Sequence, residues 1–79
     1  MSRTVLHTWT IYQSPSDFPG LFVARRFDNE AATADHYSNV DIESVRNWIL
    51  DQAVSYQQGL PHRIPRSPED DPVIVETWL

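Results

Sequence analysis

Residues 41–56 read D-I-E-S-V-R-N-W-I-L-D-Q-A-V-S-Y, and the reading of this stretch decides the fold class. Asp41 is suited to the N-cap, where its carboxylate can accept hydrogen bonds from the free N–H groups of the first turn. Glu43 adds a negative charge where the helix dipole favours one. Ile42, Val45, Ile49, Ala53 and Tyr56 then recur at about 100° per residue and fall on one face, with Trp48 at its edge. Glu43, Arg46, Asn47 and Asp51 lie outside that stripe. Leu50 and Val54 are also off it, which suggests contact on a second side of the helix. The helix is expected to end near Gln57 or Gln58, with Gly59 as its stop.

Strand signals flank the helix. T-V-L-H-T-W-T-I-Y-Q (4–13) is rich in β-branched and aromatic residues and free of Gly and Pro. Val5, His7, Trp9 and Ile11 share one parity and make the better core face. Leu6, Thr8, Thr10 and Tyr12 share the other. A loop, S-P-S-D-F-P-G (14–20), leads to a second strand, L-F-V-A-R-R-F (21–27), expected to pair antiparallel with the first. Pairing Gln13 with Leu21 sets Ile11 against Val23 and Trp9 against Arg25. A slip of one residue brings Phe22 and Ala24 to the core side instead.

Asp28-Asn29-Glu30 is a turn candidate, 31–34 has some helix propensity without helical periodicity, and His36-Tyr37-Ser38 suits a short third strand. Four prolines at 61, 65, 68 and 72 keep the following arm extended or turning. V-I-V-E-T-W-L (73–79) closes the chain as a last strand, apolar on both parities. The expectation is one α+β domain over residues 1–79: an antiparallel sheet of three or four strands, β-β-(β)-α-β, with one helix on one face. The other face must be covered by the arm, covered by a partner, or left partly open.

Composition bounds the function. The chain has 79 residues, with six Arg and eleven acidic residues, for a net charge of −5. This balance speaks against nucleic acid as a partner. The absence of Cys excludes disulfides, thiol nucleophiles and Cys-based zinc sites. No apolar run is long enough to span a membrane, and the first residues lack an apolar signal core, so a cytoplasmic location is the default expectation.

W-T-I-Y (9–12), F-P-G-L-F-V-A-R-R (18–26), V-R-N-W (45–48) and P-V-I-V-E-T-W (72–78) together form a pattern. It resembles a group of small bacterial proteins of about this length that carry no assigned function. The resemblance implies a bacterial origin and brings no catalytic or binding residues with it. The element order is also similar to that of the HicB antitoxin domain and of partial double-stranded-RNA-binding folds, a likeness of topology alone.

Chemistry-bearing groups are sparse. His7, His36 and His62 lie on separate elements without metal-ligand spacing, and Glu69-Asp70-Asp71 lacks the alternation of a calcium loop. No serine has an activation context and no glycine-rich phosphate loop exists, so no catalytic, metal or cofactor residues are expected and the chain does not read as an enzyme. Arg25 and Arg26 point to opposite faces if they lie in a strand, so one must reach the rim or pair with a carboxylate on the helix-covered side. Together with Arg63 and Arg66, and with Tyr12, Phe22 or Tyr37 as stacking partners, they would suit an anion or RNA contact. The net charge favours salt bridging instead.

The reading that results is a small interaction module that binds an unidentified protein, or itself as a weak homodimer, through the sheet face opposite the helix. Its candidate interaction residues are Tyr12, Phe22, Arg26, Arg63, Arg66 and Trp78. An antitoxin-like or nucleic-acid-associated regulatory domain using the Arg set is the alternative.

Overall fold

A computed structural model describes residues 5–56 and 61–79. Along the chain come β1 (His7–Gln13), β2 (Phe22–Asp28), β3 (Ala31–Asn39), α1 (Ile42–Ser55), β4 (Arg63–Pro65) and β5 (Ile74–Trp78). All pairings are antiparallel, in the order β3-β2-β1-β5-β4, so β1 is the central strand and β3 and β4 are the edges. The fold is α+β, with α1 packed across one face of the sheet. The sheet has five strands because part of the proline-rich arm forms β4 and pairs with β5. The arm thus widens the sheet at its edge.

The helix begins as its sequence dictates. Asp41 caps it, its Oδ1 accepting from the Glu43 backbone N–H at 3.2 Å. Val45, Ile49 and Ala53 are fully buried against Trp9, Ile11 and Ala24, with Ile42, Trp48 and Tyr37 packed around them. Tyr37 and Trp48 stack with their ring centroids 6.0 Å apart. Tyr56 departs from the stripe. It forms the C-cap and is exposed. Of the two apolar residues off the stripe, Val54 is also exposed, whereas Leu50 is half-buried. The expected stop at Gln57, Gln58 and Gly59 lies outside the described residues.

The hairpin register differs from the pairing of Gln13 with Leu21. Gln13 faces Phe22, Ile11 faces Ala24 and Trp9 faces Arg26. The loop sets this register. The Ser14 N–H donates to the Leu21 carbonyl (2.7 Å) and Ser14 Oγ accepts from the Gly20 N–H (2.9 Å), closing the loop one residue beyond the symmetric pairing. Both residues have positive φ, 49° and 78°, which Gly20 adopts freely. Phe22 therefore lies on the helix side, packed against the core, and not on the opposite face.

β3 is longer than the expected His36–Ser38 piece, and residues 31–34 are strand, not helix. The β2–β3 turn holds Asn29 and Glu30 at φ 51° and 71°. Asn29 is further clamped to Leu6, its Oδ1 accepting from the Leu6 N–H at 2.9 Å and its own N–H donating to the Leu6 carbonyl at 2.8 Å.

β5 contains a bulge. Tyr12 pairs with Ile74 but Ile11 pairs with Glu76, leaving Val75 as the extra residue. The bulge reverses the parity of the strand midway. Ile74 lies with Tyr12 on the face away from α1, while Glu76 and Trp78 lie with Ile11 and Trp9 on the helix side. The expectation that Trp78 stands on the opposite face is thus overturned.

Ile49→Ala should cost about 2–5 kcal/mol in chemical denaturation, because the packed helix cannot collapse into the space. Asp51→Ala, on the exposed side, should change stability by less than about 0.5 kcal/mol. Equal effects would mean that the buried face is wrongly assigned. Glu30→Gly should raise the melting midpoint, by relief of about 1 kcal/mol of left-handed strain at a non-glycine residue.

Candidate interaction face

Two layers of polar chemistry flank the core. On the helix side, Glu76 is 3% exposed yet charged. Arg46, from α1, grips it with two hydrogen bonds, Nε to Oε2 at 3.1 Å and Nη2 to Oε1 at 2.8 Å. Trp78 Nε1 donates to Oε2 at 2.7 Å, and Arg46 also reaches Glu43 at 2.6 Å. Burial pushes the Glu76 carboxyl up, but the hydrogen bonds from Arg46 and Trp78 outweigh it and hold the group below the usual carboxylate range.

A second network closes the opposite end of α1. Arg26 donates from Nε to Asp28 (2.9 Å) and from Nη1 to Asp35 and to the Tyr56 hydroxyl. Its guanidinium also lies 4.8 Å from the Tyr56 ring centroid, while His7 stacks on that ring at 4.2 Å. His7 Nδ1 approaches Asp28 Oδ1 at 2.7 Å. Burial opposes ionisation of Asp28, yet the bonds from His7 and Arg26 hold its carboxyl low. Arg26 is therefore the arginine that the sequence required to find a carboxylate partner on the covered side. The β2–β3 register shift between Arg25 and Phe27 leaves Thr33, Ala34 and Asp35 of β3 opposite Arg26, and Asp35 pairs with it.

The face away from α1 is built from rows of cross-strand neighbours. Ile64, Thr77, Thr10, Arg25 and His36 form one row, and Ile74, Tyr12, Val23 and Ser38 form the next. Val23 and Thr10 are buried even so, and Tyr12, Phe27, Ile74 and Thr77 are half-buried. The loop 14–20 folds onto one end of this face, where Phe18 lies 5.7 Å from the His36 ring. Tyr12, Pro15, Asp17, Phe18, Val23 and Arg25 line a cleft of about 140 Å³ there. Burial raises the Tyr12 phenol above its ordinary value, with Arg25 and Thr10 offsetting part of the effect.

The structure thus scatters the residues singled out from sequence. Tyr12 lies on the open face. Phe22 and Trp78 pack against the core, and Arg26 is locked in its network. Arg63 is on the β4 edge, where it helps hold Glu76 ionised, and Arg66 follows β4 on the exposed arm, 3.5 Å from the Asp70 carbonyl. Arg25, which the sequence reading placed in the arginine set as a candidate anion contact, joins Tyr12 instead, together with Phe18 and Val23, which that reading did not name as site residues. The adjacency of Arg25 and Arg26 was the available signal, since one of them had to face away from the helix. Among the described residues no three His, Asp or Glu side chains converge on a metal position, and no helix is long and apolar enough to cross a membrane. No family model, curated protein or solved structure matches the chain.

Glu76→Gln should cost about 2–3 kcal/mol, since it removes the charge from a buried pair and leaves Arg46 with Glu43 and water. Because the folded-state values of Glu76 and Asp28 are depressed, their contribution is complete above the ordinary carboxylate range and is lost as pH falls through the folded values. Urea unfolding followed between about pH 5 and pH 2 should show a shallower loss of stability for Glu76→Gln than for the wild type.

Proposed function

We propose that this protein is an interaction module that binds another protein through the sheet face opposite α1. One observation carries the reading: among the described residues α1 covers one face of the sheet, while the loop 14–20 folds onto only one end of the other. The helix closes one face, the arm extends the edge as β4, and the other face keeps Tyr12, Phe27 and Ile74 half-buried beside an apolar cleft. Half-buried apolar side chains set among polar ones, as here, are a surface that protein contact sites use. The dispersal of Arg25, Arg26, Arg63 and Arg66 over both faces, an edge and a loop offers no continuous track for a phosphate backbone, which supports a protein partner over nucleic acid.

Cell lysate passed over the immobilised wild type should leave a protein that the double variant Tyr12→Ser, Ile74→Ser fails to retain, with both chains folded by circular dichroism. Sedimentation at several concentrations separates the homodimer, whose mass rises with concentration, from a heterologous partner. Retention unaffected by the double variant would remove the face from consideration. Titration with single- and double-stranded RNA at physiological salt should show nothing tighter than about 10⁻⁴ M. A micromolar constant weakened by Arg25→Ala would favour the regulatory nucleic-acid alternative.

A further inference from the structure

The open face contains a cation, Arg25, that makes no ion pair among the described residues. Arg26 is neutralised by Asp28 and Asp35, and Arg46 by Glu43 and Glu76. Arg25 is half-buried and donates one N–H to the Thr33 carbonyl at 2.9 Å, but it makes no ion pair among the described residues. A guanidinium has five N–H donors in a planar fork that matches a carboxylate, so a group held this way retains capacity for one anion. Beside Asp17, the surrounding walls are made by Tyr12, Pro15, Phe18 and Val23. The cleft they bound, about 140 Å³, is close to the cavity of roughly 150 Å³ that accommodates a single benzene ring.

We propose that this cleft anchors the interaction face by receiving one aromatic side chain of a partner protein, with an adjacent carboxylate of that partner paired to Arg25. This rests on the open face being the binding surface. Charge complementarity selects the partner. An acidic residue beside the aromatic one satisfies Arg25. Asp17, on the same wall, disfavours a run of acids and can accept a backbone N–H from the entering segment. The cleft is open to solvent and continuous with the Tyr12–Ile74 row, so a protein segment gains contacts along the face that a free small molecule would lack.

The test is an amide-shift titration of the full chain with the capped peptide acetyl-Gly-Phe-Glu-Gly-amide, run beside its Gln and Ala-Glu counterparts. Saturable shifts at Phe18, Val23 and Arg25 are expected, with the Phe-Gln peptide at least about threefold weaker, the scale of one exposed ion pair. Replacement of Phe by Ala in the peptide should abolish the shifts. Arg25→Gln should erase the preference for Glu over Gln, whereas Arg25→Lys should keep part of it. No saturable shift up to about 10 mM, equal binding of the Glu and Gln peptides, or tighter binding of phenylacetate than of the peptide would overturn the proposal. Should the peptides fail while the Tyr12, Ile74 double variant still loses its partner, the face remains the interface and the cleft is not its anchor. Failure of both removes the face as well.

Discussion

The burial of one helical stripe on one central strand holds this structure together. Val45, Ile49 and Ala53 meet Trp9, Ile11 and Ala24 with no exposed area left on any of them. β1 is hydrogen-bonded on both sides, so it carries Trp9 and Ile11 into the middle of the sheet, where a single helix can cover them. A chain of this size has little apolar surface to spare, and almost all of its fully buried volume lies in that one contact. Trp9, the largest side chain there, is accommodated with its Nε1 unpartnered among the described residues, so shape is satisfied ahead of its polarity.

One helix cannot cover five strands, and charge completes the job at the margins. Arg46 leans from α1 onto Glu76 of β5, and Arg26 gathers Asp28, Asp35 and Tyr56 at the other end of the helix. Each arrangement surrounds a buried charge with enough donors and acceptors to offset its desolvation. Each also ties together parts distant in sequence that apolar contact alone would hold loosely. The consequence reaches the other face. The acids that form ion pairs, Asp28, Asp35, Glu43 and Glu76, are engaged by His7, Arg26 and Arg46, and Arg25 makes no ion pair among the described residues. Structural ion pairing on one side of the sheet therefore produces the electrostatic character proposed to matter on the other.

The open face gains its relief from the 14–20 loop. Phe18 and Pro15 fold back over the β1–β2 end and turn a flat sheet surface into a cleft, held by the Ser14–Gly20 and Ser14–Leu21 bonds. The proline arm does not compete for this space because β4 is hydrogen-bonded into the edge. The same pairing presents a three-residue edge strand containing Pro65, a poor template for further strand addition. The association proposed for the face is thus separate from any strand addition at that edge.

Local pattern determined the helix, its Asp41 cap, its Val45–Ile49–Ala53 stripe and the inward parity of Trp9 and Ile11. It also required that one arginine of the Arg25–Arg26 pair be neutralised beneath the helix. These follow from periodicity and side-chain chemistry within a few residues, which any fold must respect. Tertiary structure alone decided the register that brought Phe22 inward, the bulge at Val75 that turned Trp78 to the core, the strand character of residues 31–34 and the pairing of β4. It also chose Asp28, Asp35 and Glu76 as the carboxylates that answer Arg26 and Arg46. Register and bulges cost little locally, so the sequence nearby barely distinguishes them. They are set by which long-range arrangement buries Trp9 and Ile11, closes the loop bonds of Ser14 and leaves no buried charge unpaired, and that sum is taken over strands far apart in the chain.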